Sequence, residues 1–121
     1  MTSDLVGEKL TEAFVSKCLN GFSGFAMLVP CFEPAGYVLV CDSSPTTEHI
    51  QEFENRLRLN PQYNYARRLG QLGPVSLLTC RNPHEVVEQV MYKRGTRLGD
   101  IKPTSLRSEE FWLPLFKERL S

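Results

Sequence analysis

Gly24-Phe25-Ala26-Met27-Leu28-Val29-Pro30-Cys31-Phe32-Glu33, then Pro34-Ala35-Gly36, then Tyr37-Val38-Leu39-Val40-Cys41-Asp42 is the stretch that decides the fold. Both runs are apolar at consecutive positions, so neither has a polar face. Two such runs around a Pro/Gly break read as an antiparallel hairpin, buried on both faces or at an interface. Pro30 has no N–H to donate, so the first strand is an edge strand there or is bulged.

Upstream, Leu10, Phe14 and Cys18 recur every four residues, and Ala13 and Val15 widen the stripe. The spacing predicts a helix from about Glu8 to Leu19, stopped by Asn20-Gly21. Downstream, Ser44-Pro45 reads as a helix start, with Ile50, Phe53 and Leu57 as the buried face to about Leu59. Asn60-Pro61 interrupts, and a short helix from about Pro61 to Leu69 carries Tyr63, Tyr65, Arg67 and Arg68. Gly70-Gln71-Leu72-Gly73-Pro74 is a turn rather than a phosphate cradle, since a cradle needs a strand before it and a helix after it. Val75 to Cys80 reads as a strand. Asn82-Pro83-His84-Glu85 repeats the cap pattern, with Glu85 placed for a capping box. Val86, Val87, Val90 and Met91 give the apolar face of the next helix, ended by Gly95. The tail from Glu109 to Leu120 reads as a short helix broken at Pro114, with Trp112 as a packing anchor. The order is that of an α+β domain: a small mixed or antiparallel β-sheet with helices packed on it, in the ferredoxin-like neighbourhood. There is no internal repeat and no low-complexity segment.

The 121 residues amount to one domain, 1–121, or a piece of a larger chain, and 41% hydrophobic content supports a modest core. Net charge is zero, so the basic excess of a nucleic-acid binder is missing. Arg56, Arg58, Arg67 and Arg68 lie beside Glu48, Glu52 and Glu54 and read as a solvated helix face. No segment has the apolar length that spans a bilayer, and Met1-Thr2-Ser3-Asp4 does not open a signal peptide. Cys18, Cys31, Cys41 and Cys80 sit in apolar stretches without CxxC spacing and read as small core residues of a reduced, cytoplasmic protein. His49 and His84 are isolated, so no metal site is expected.

Arg97-Leu98-Gly99-Asp100-Ile101-Lys102-Pro103 is the other informative stretch. Within the loop 95–108, Gly95 and Gly99 loosen the backbone ahead of Lys102 and Pro103 stiffens it behind. A loop that carries one ammonium suits delivery of positive charge to a phosphate or carboxylate from outside. The plainer reading is an ordinary surface Lys. No Ser–His–acid system, Walker loop, dinucleotide fingerprint or metal cluster accompanies it. The chain reads as a module that contributes a residue or two to a site built elsewhere.

Three stretches in order carry a resemblance: Asp4-Leu5-Val6-Gly7-Glu8-Lys9-Leu10-Thr11-Glu12, Gly70-Gln71-Leu72-Gly73-Pro74, and Gly99-Asp100-Ile101-Lys102-Pro103. Together they resemble the C-terminal domain of the Gretchen Hagen (auxin-responsive promoter) acyl-acid amido synthetases, in bacterial form. The resemblance spans nearly the whole chain and only the last part of such an enzyme. It implies the C-terminal lid domain of an adenylate-forming ligase, inactive alone, whose partner is the N-terminal adenylating domain of the same enzyme. It implies ATP and Mg²⁺ as cofactors, bound mainly by that other domain. It further implies a carboxylic acid and an amino acid as substrates. By position Lys102 matches the Lys that reaches the phosphates and the acyl carboxylate, and is the implied catalytic residue. Lys9 matches a Lys near the domain junction that contacts ATP. Residues 1–7 match a hinge-like opening segment. Lys102 is followed by Pro103-Thr104 where the plant pattern has Thr-Pro, and the tyrosine/arginine spacing before the glycine turn differs, which leaves the substrates open. The competing reading is a free-standing α+β module that binds a ligand or a protein without catalysis. A genomic reading frame that extends several hundred residues upstream discriminates between them.

Overall fold

The two apolar runs form the hairpin. Strands β3 (Ala26–Phe32) and β4 (Ala35–Cys41) pair antiparallel, from Ala26 opposite Cys41 to Phe32 opposite Ala35. The computed structural model describes residues 2–97, 99 and 104–120. In chain order the remaining elements are β1 (Thr2–Ser3), β2 (Leu10–Thr11), α1 (Glu12–Cys18), α2 (Thr47–Leu57), α3 (Pro61–Arg68), β5 (Ser76–Thr79), α4 (Pro83–Lys93) and α5 (Trp112–Lys117). β5 joins β4 in parallel, so the main sheet is mixed with order β3-β4-β5, and β1-β2 form a separate antiparallel pair. The architecture is α+β, as the sequence predicts.

The sheet is covered on both faces, which is why its strands carry no polar side. Ala26, Leu28, Tyr37, Leu39 and Cys41 face one core, which takes in Val15 of α1, Phe53 and Leu57 of α2, and Tyr63 of α3. Met27, Val29, Val40 and Cys80 face a second core, built with Val86 and Val87 of α4 and with Trp112 and Phe116 of α5. Alternation along each strand divides the residues between the two cores.

Pro30 sits on the outer strand, β3, as its missing N–H requires. The Leu28 N–H points away from β4 to the Ser105 carbonyl at 2.8 Å, and Arg107 N–H returns to the Leu28 carbonyl at 3.0 Å. The next rung of that parallel ladder would need an N–H from Pro30. The segment 105–107 therefore leaves the edge after a single bridge, Leu28 to Leu106.

Five local expectations are corrected. The first helix starts at Glu12, not Glu8, with the Thr11 hydroxyl accepting from Phe14 N–H at 3.2 Å. Glu8 is fully buried instead. Its carboxylate accepts from Leu5 N–H at 2.8 Å, Val6 N–H at 2.8 Å and Tyr37 O–H at 2.5 Å, which holds residues 5–8 out of the helix. α2 is capped by Thr46, whose hydroxyl takes the His49 N–H at 3.2 Å, so Ser44-Pro45 only leads into it. The hairpin turn is Glu33-Pro34, joined by a cis peptide, and Ala35 and Gly36 already belong to β4. Asn82 is left-handed (φ 48°) and makes no side-chain cap, and Glu85 pairs with Arg119 at 2.7 Å rather than closing a capping box. Finally, Pro114 does not break the tail helix. It is the third residue of α5, where an N–H has no partner within the helix anyway.

The Gly70-Gln71-Leu72-Gly73-Pro74 turn is a helix terminus. Gly70 takes φ +75°, Gly70 N–H reaches Arg67 O at 3.2 Å and Gln71 N–H reaches Ala66 O at 2.9 Å, a Schellman closure of α3. Leu72 is then buried, and Gly73 N–H docks on the Ala35 carbonyl at 3.0 Å. α4 ends the same way at Gly95, φ +88°.

Candidate functional site

Lys102, the implied catalytic residue, lies outside the described residues, as do Leu98, Asp100, Ile101 and Pro103 of the same loop. What the structure places is the segment that leaves them. Thr104 and Ser105 line a cleft of about 690 Å³ between α1, the first residues of β3 and the first half of α4. Ser105 N–H donates to the Glu12 carboxylate at 2.8 Å, ninety-three residues back in sequence. Leu106 is fully buried and Arg107 is nearly so. The Arg107 guanidinium lies 5.1 Å from the centre of the Trp112 ring, and Trp112 Nε1–H donates to Glu109 at 2.6 Å. Burial pushes the Arg107 pKa down, opposed by the carboxylates of Glu109 and Glu12. Trp112 is thus the packing anchor that the sequence suggested, and it also supports the end of the Lys102 loop.

The cleft has an apolar floor that includes Phe22, Phe25 and Met27, and a rim with Glu12, Asp42, His84 and Glu88. Two of these carboxylates are already engaged: Glu12 by Ser105 N–H, and Asp42 by Phe25 N–H at 3.1 Å. Among the described residues no group of three His, Cys, Asp or Glu side chains is placed to hold a metal ion. The described lining offers shape, acceptors and hydroxyls.

Lys9 is exposed, between Glu8 and Leu10, which are both fully buried. Its φ of +48° is left-handed, a conformation uncommon outside glycine, asparagine and aspartate. The backbone thus reverses at Lys9 and leaves its side chain in solvent. Three residues later Glu12 meets Ser105, three residues after Lys102 in sequence. Glu12 thus joins the start of α1 to Ser105. Sequence reading gave Glu12 no role. No local signal marks it: a carboxylate directly after the capping Thr11 is an ordinary first-turn residue of a helix, and its donor lies ninety-three residues away.

Only part of the basic cluster is solvated. Arg67 is ion-paired at 3.1 Å with Glu54, which is itself buried and also accepts from Tyr63 O–H and Val75 N–H, both at 3.0 Å. Arg56 donates to the carbonyls of Cys18 and Asn20. The expectation of a wholly solvated face is corrected on this point: Arg67 with Glu54 joins α2, α3 and the lead into β5, and Arg56 ties α2 to the end of α1.

Comparison with known proteins adds one finding. No family model matches the sequence, and no curated protein sequence matches it. Among solved structures the chain is similar to a GH3.15 acyl acid amido synthetase, with a TM-score of 0.71 and 13% identity, over 100% of this chain and 25% of that one. The fold is shared with that enzyme. At this identity the likeness shows the fold alone, and the chain spans about a quarter of the enzyme's length. No helix among the described residues is long and apolar enough to cross a membrane.

Proposed function

We propose that this chain is the C-terminal domain of an ATP-dependent acyl-acid amido synthetase, which activates a carboxylic acid as its acyl-adenylate and transfers the acyl group to an amino acid amine. The observation that carries the reading is the fold likeness over the entire chain to a quarter of such an enzyme. The ordered stretches around Lys9, Gly70–Pro74 and Lys102 support it from the sequence side.

In this reading the acid's carboxylate oxygen attacks the α-phosphorus of ATP and pyrophosphate leaves. Negative charge grows on the phosphoryl oxygens and on the leaving group. Lys102 supplies an ammonium at that charge, a contact of a kind worth about 2–4 kcal/mol of barrier. Lys9, exposed beside the opening segment 1–7, is the second cation and contacts ATP. In this reading Mg²⁺ and most contacts to ATP belong to the adenylating domain. The acid and amine pockets belong there too. The alternative of a free-standing module that pairs with itself through the hairpin loses support from the sheet, since both faces are covered by the chain's own helices.

The test is ATP–pyrophosphate exchange with a panel of aliphatic and aromatic carboxylic acids. The chain alone is expected to give none above a heat-killed control, and to bind ATP weakly or not at all in calorimetry, because one or two lysines without an adenine pocket do not make a specific site. The same chain joined to its adenylating domain is expected to exchange. Exchange by the chain alone, or tight saturable ATP binding to it, contradicts the proposal.

A further inference from the structure

We infer that the groove between α4 and α5 is a binding site for an amphiphilic carboxylate, a small molecule with an apolar body and one anionic head. The inference goes beyond the function proposed above and does not depend on it. The two helices run antiparallel, and the contacts at their ends fix this. At one end the Arg94 guanidinium lies 4.8 Å from the centre of the Phe111 ring, and at the other Arg119 pairs with Glu85 at 2.7 Å. Between them lies a groove of about 530 Å³, within the roughly 300–1,000 Å³ of small-molecule sites. The span from Val86 to Arg94 that borders it is about 12 Å long at the helical rise. Val86, Val90, Pro114 and Leu115 supply its apolar lining.

Charge is distributed unevenly along this length. At one end Arg119 is neutralised by Glu85, and Glu118 stands beside them. Lys93 and Arg94 border the opposite end, and among the described residues no carboxylate lies within ion-pairing distance of either. Both belong to the last turn of α4, where the helix dipole favours a cation, and that suffices for an exposed Lys. It does not explain an Arg whose guanidinium is laid on an aromatic ring of the groove. A guanidinium held in that way keeps its edge free for the two oxygens of a carboxylate. An acidic peptide would spread its charges along the groove and meet Glu118. A single-headed anion places its charge at the cationic end and its body on the apolar lining.

The test is titration of the nitrogen-labelled chain with decanoate, followed by amide resonances and by calorimetry. Saturable one-to-one binding is expected, with the largest shifts at Val90, Arg94, Phe111 and Leu115. Butyrate keeps the head and loses most of the body, and should bind about tenfold more weakly or worse. Decyltrimethylammonium keeps the body and reverses the charge, and should not shift those amides. Lys93 and Arg94 are exposed, so Lys93→Gln and Arg94→Gln should keep the parental thermal midpoint while each weakens decanoate about threefold to tenfold. Glu118→Gln should not weaken it. Four results overturn the inference: decanoate that does not saturate, shifts that map away from the groove, decyltrimethylammonium that binds as well as decanoate, or parental affinity in Arg94→Gln. A chain that sediments as a dimer with these amides protected assigns the groove to a second copy and overturns it too. So does a larger enzyme carrying this chain in which the groove no longer takes decanoate, since another protein segment then fills it. None of these results bears on the proposed function, which acyl-adenylate formation decides separately.

Discussion

Lys9 and the thiols show how single side chains report on the fold. Lys9 holds a left-handed backbone that glycine adopts without strain. Lys9→Gly is therefore expected to leave stability within about 1 kcal/mol of the parent while it deletes the charge. Urea unfolding checks the first point, and ATP half-saturation in the adenylating enzyme checks the second, where a rise is expected. The thiols of Cys18 and Cys41 are both pushed up from 9.0 to about 11 by burial, with Arg56 opposing the shift at Cys18 and Asp42 adding to it at Cys41. An unfolded thiol ionises near 9 and these folded ones near 11, so between those values the unfolded chain sheds protons that the folded chain keeps. Their contribution is complete below pH 9 and is lost as pH rises toward 11. Urea midpoints at pH 8, 9, 10 and 11 should fall across that window, and less steeply in the Cys18→Ala/Cys41→Ala variant; equal slopes would refute the assignment.

At the scale of elements, Glu54 is the most informative test. One of its oxygens collects Tyr63, Arg67 and the Val75 amide, which ties α2 to α3 and to the residue before β5. Glu54→Ala leaves the buried Tyr63 hydroxyl and Val75 N–H without their acceptor and removes the carboxylate from the half-buried Arg67, and is expected to cost about 2–4 kcal/mol in urea unfolding. A loss under 1 kcal/mol would mean that the network is solvated after all. Elements of this kind were readable in the sequence where the signal was local. The hairpin, α3 after Asn60-Pro61, and the close of α4 at Gly95 follow from apolar runs, a cap and glycine. Residues 8–11 were not readable, because apolar spacing from Leu10 onward is also what a β-bridge followed by a capped helix shows. The burial of Glu8 by Tyr37, twenty-nine residues away, decides between the two. Glu85 was misread for the same reason: its partner, Arg119, arrives from the other end of the chain. The two-faced burial of the sheet was visible in Met27-Leu28-Val29 and Val38-Leu39-Val40, but which helices cover which face depends on tertiary packing. Of the candidate site, Lys9 and Lys102 came from ordered motifs, whereas the Glu12–Ser105 tie is a long-range contact with no local mark.

For the whole molecule, cores pack on both faces of the sheet, and both of its outer edges are partly closed by the C-terminal segment. Leu106 bridges Leu28 on one edge and Leu120 bridges Cys80 on the other. The final residues thus pass from one side of the sheet to the other, with α5 and Trp112 between them, and brace the segment that leaves Lys102. In the proposed function the chain carries a cation to a site on another domain, and delivery of that kind requires a rigid base. Charge that meets the reaction only in the assembled site stabilises the transition state more than the ground state. The most direct measurement is single-turnover acyl-adenylate formation by Lys102→Ala in the adenylating enzyme. The account predicts a rate lower by about a hundredfold or more, poor rescue by Lys102→Arg, and little change in ATP or acid binding. Adenylate formed at the parental rate, with only the transfer to the amine slowed, would contradict it.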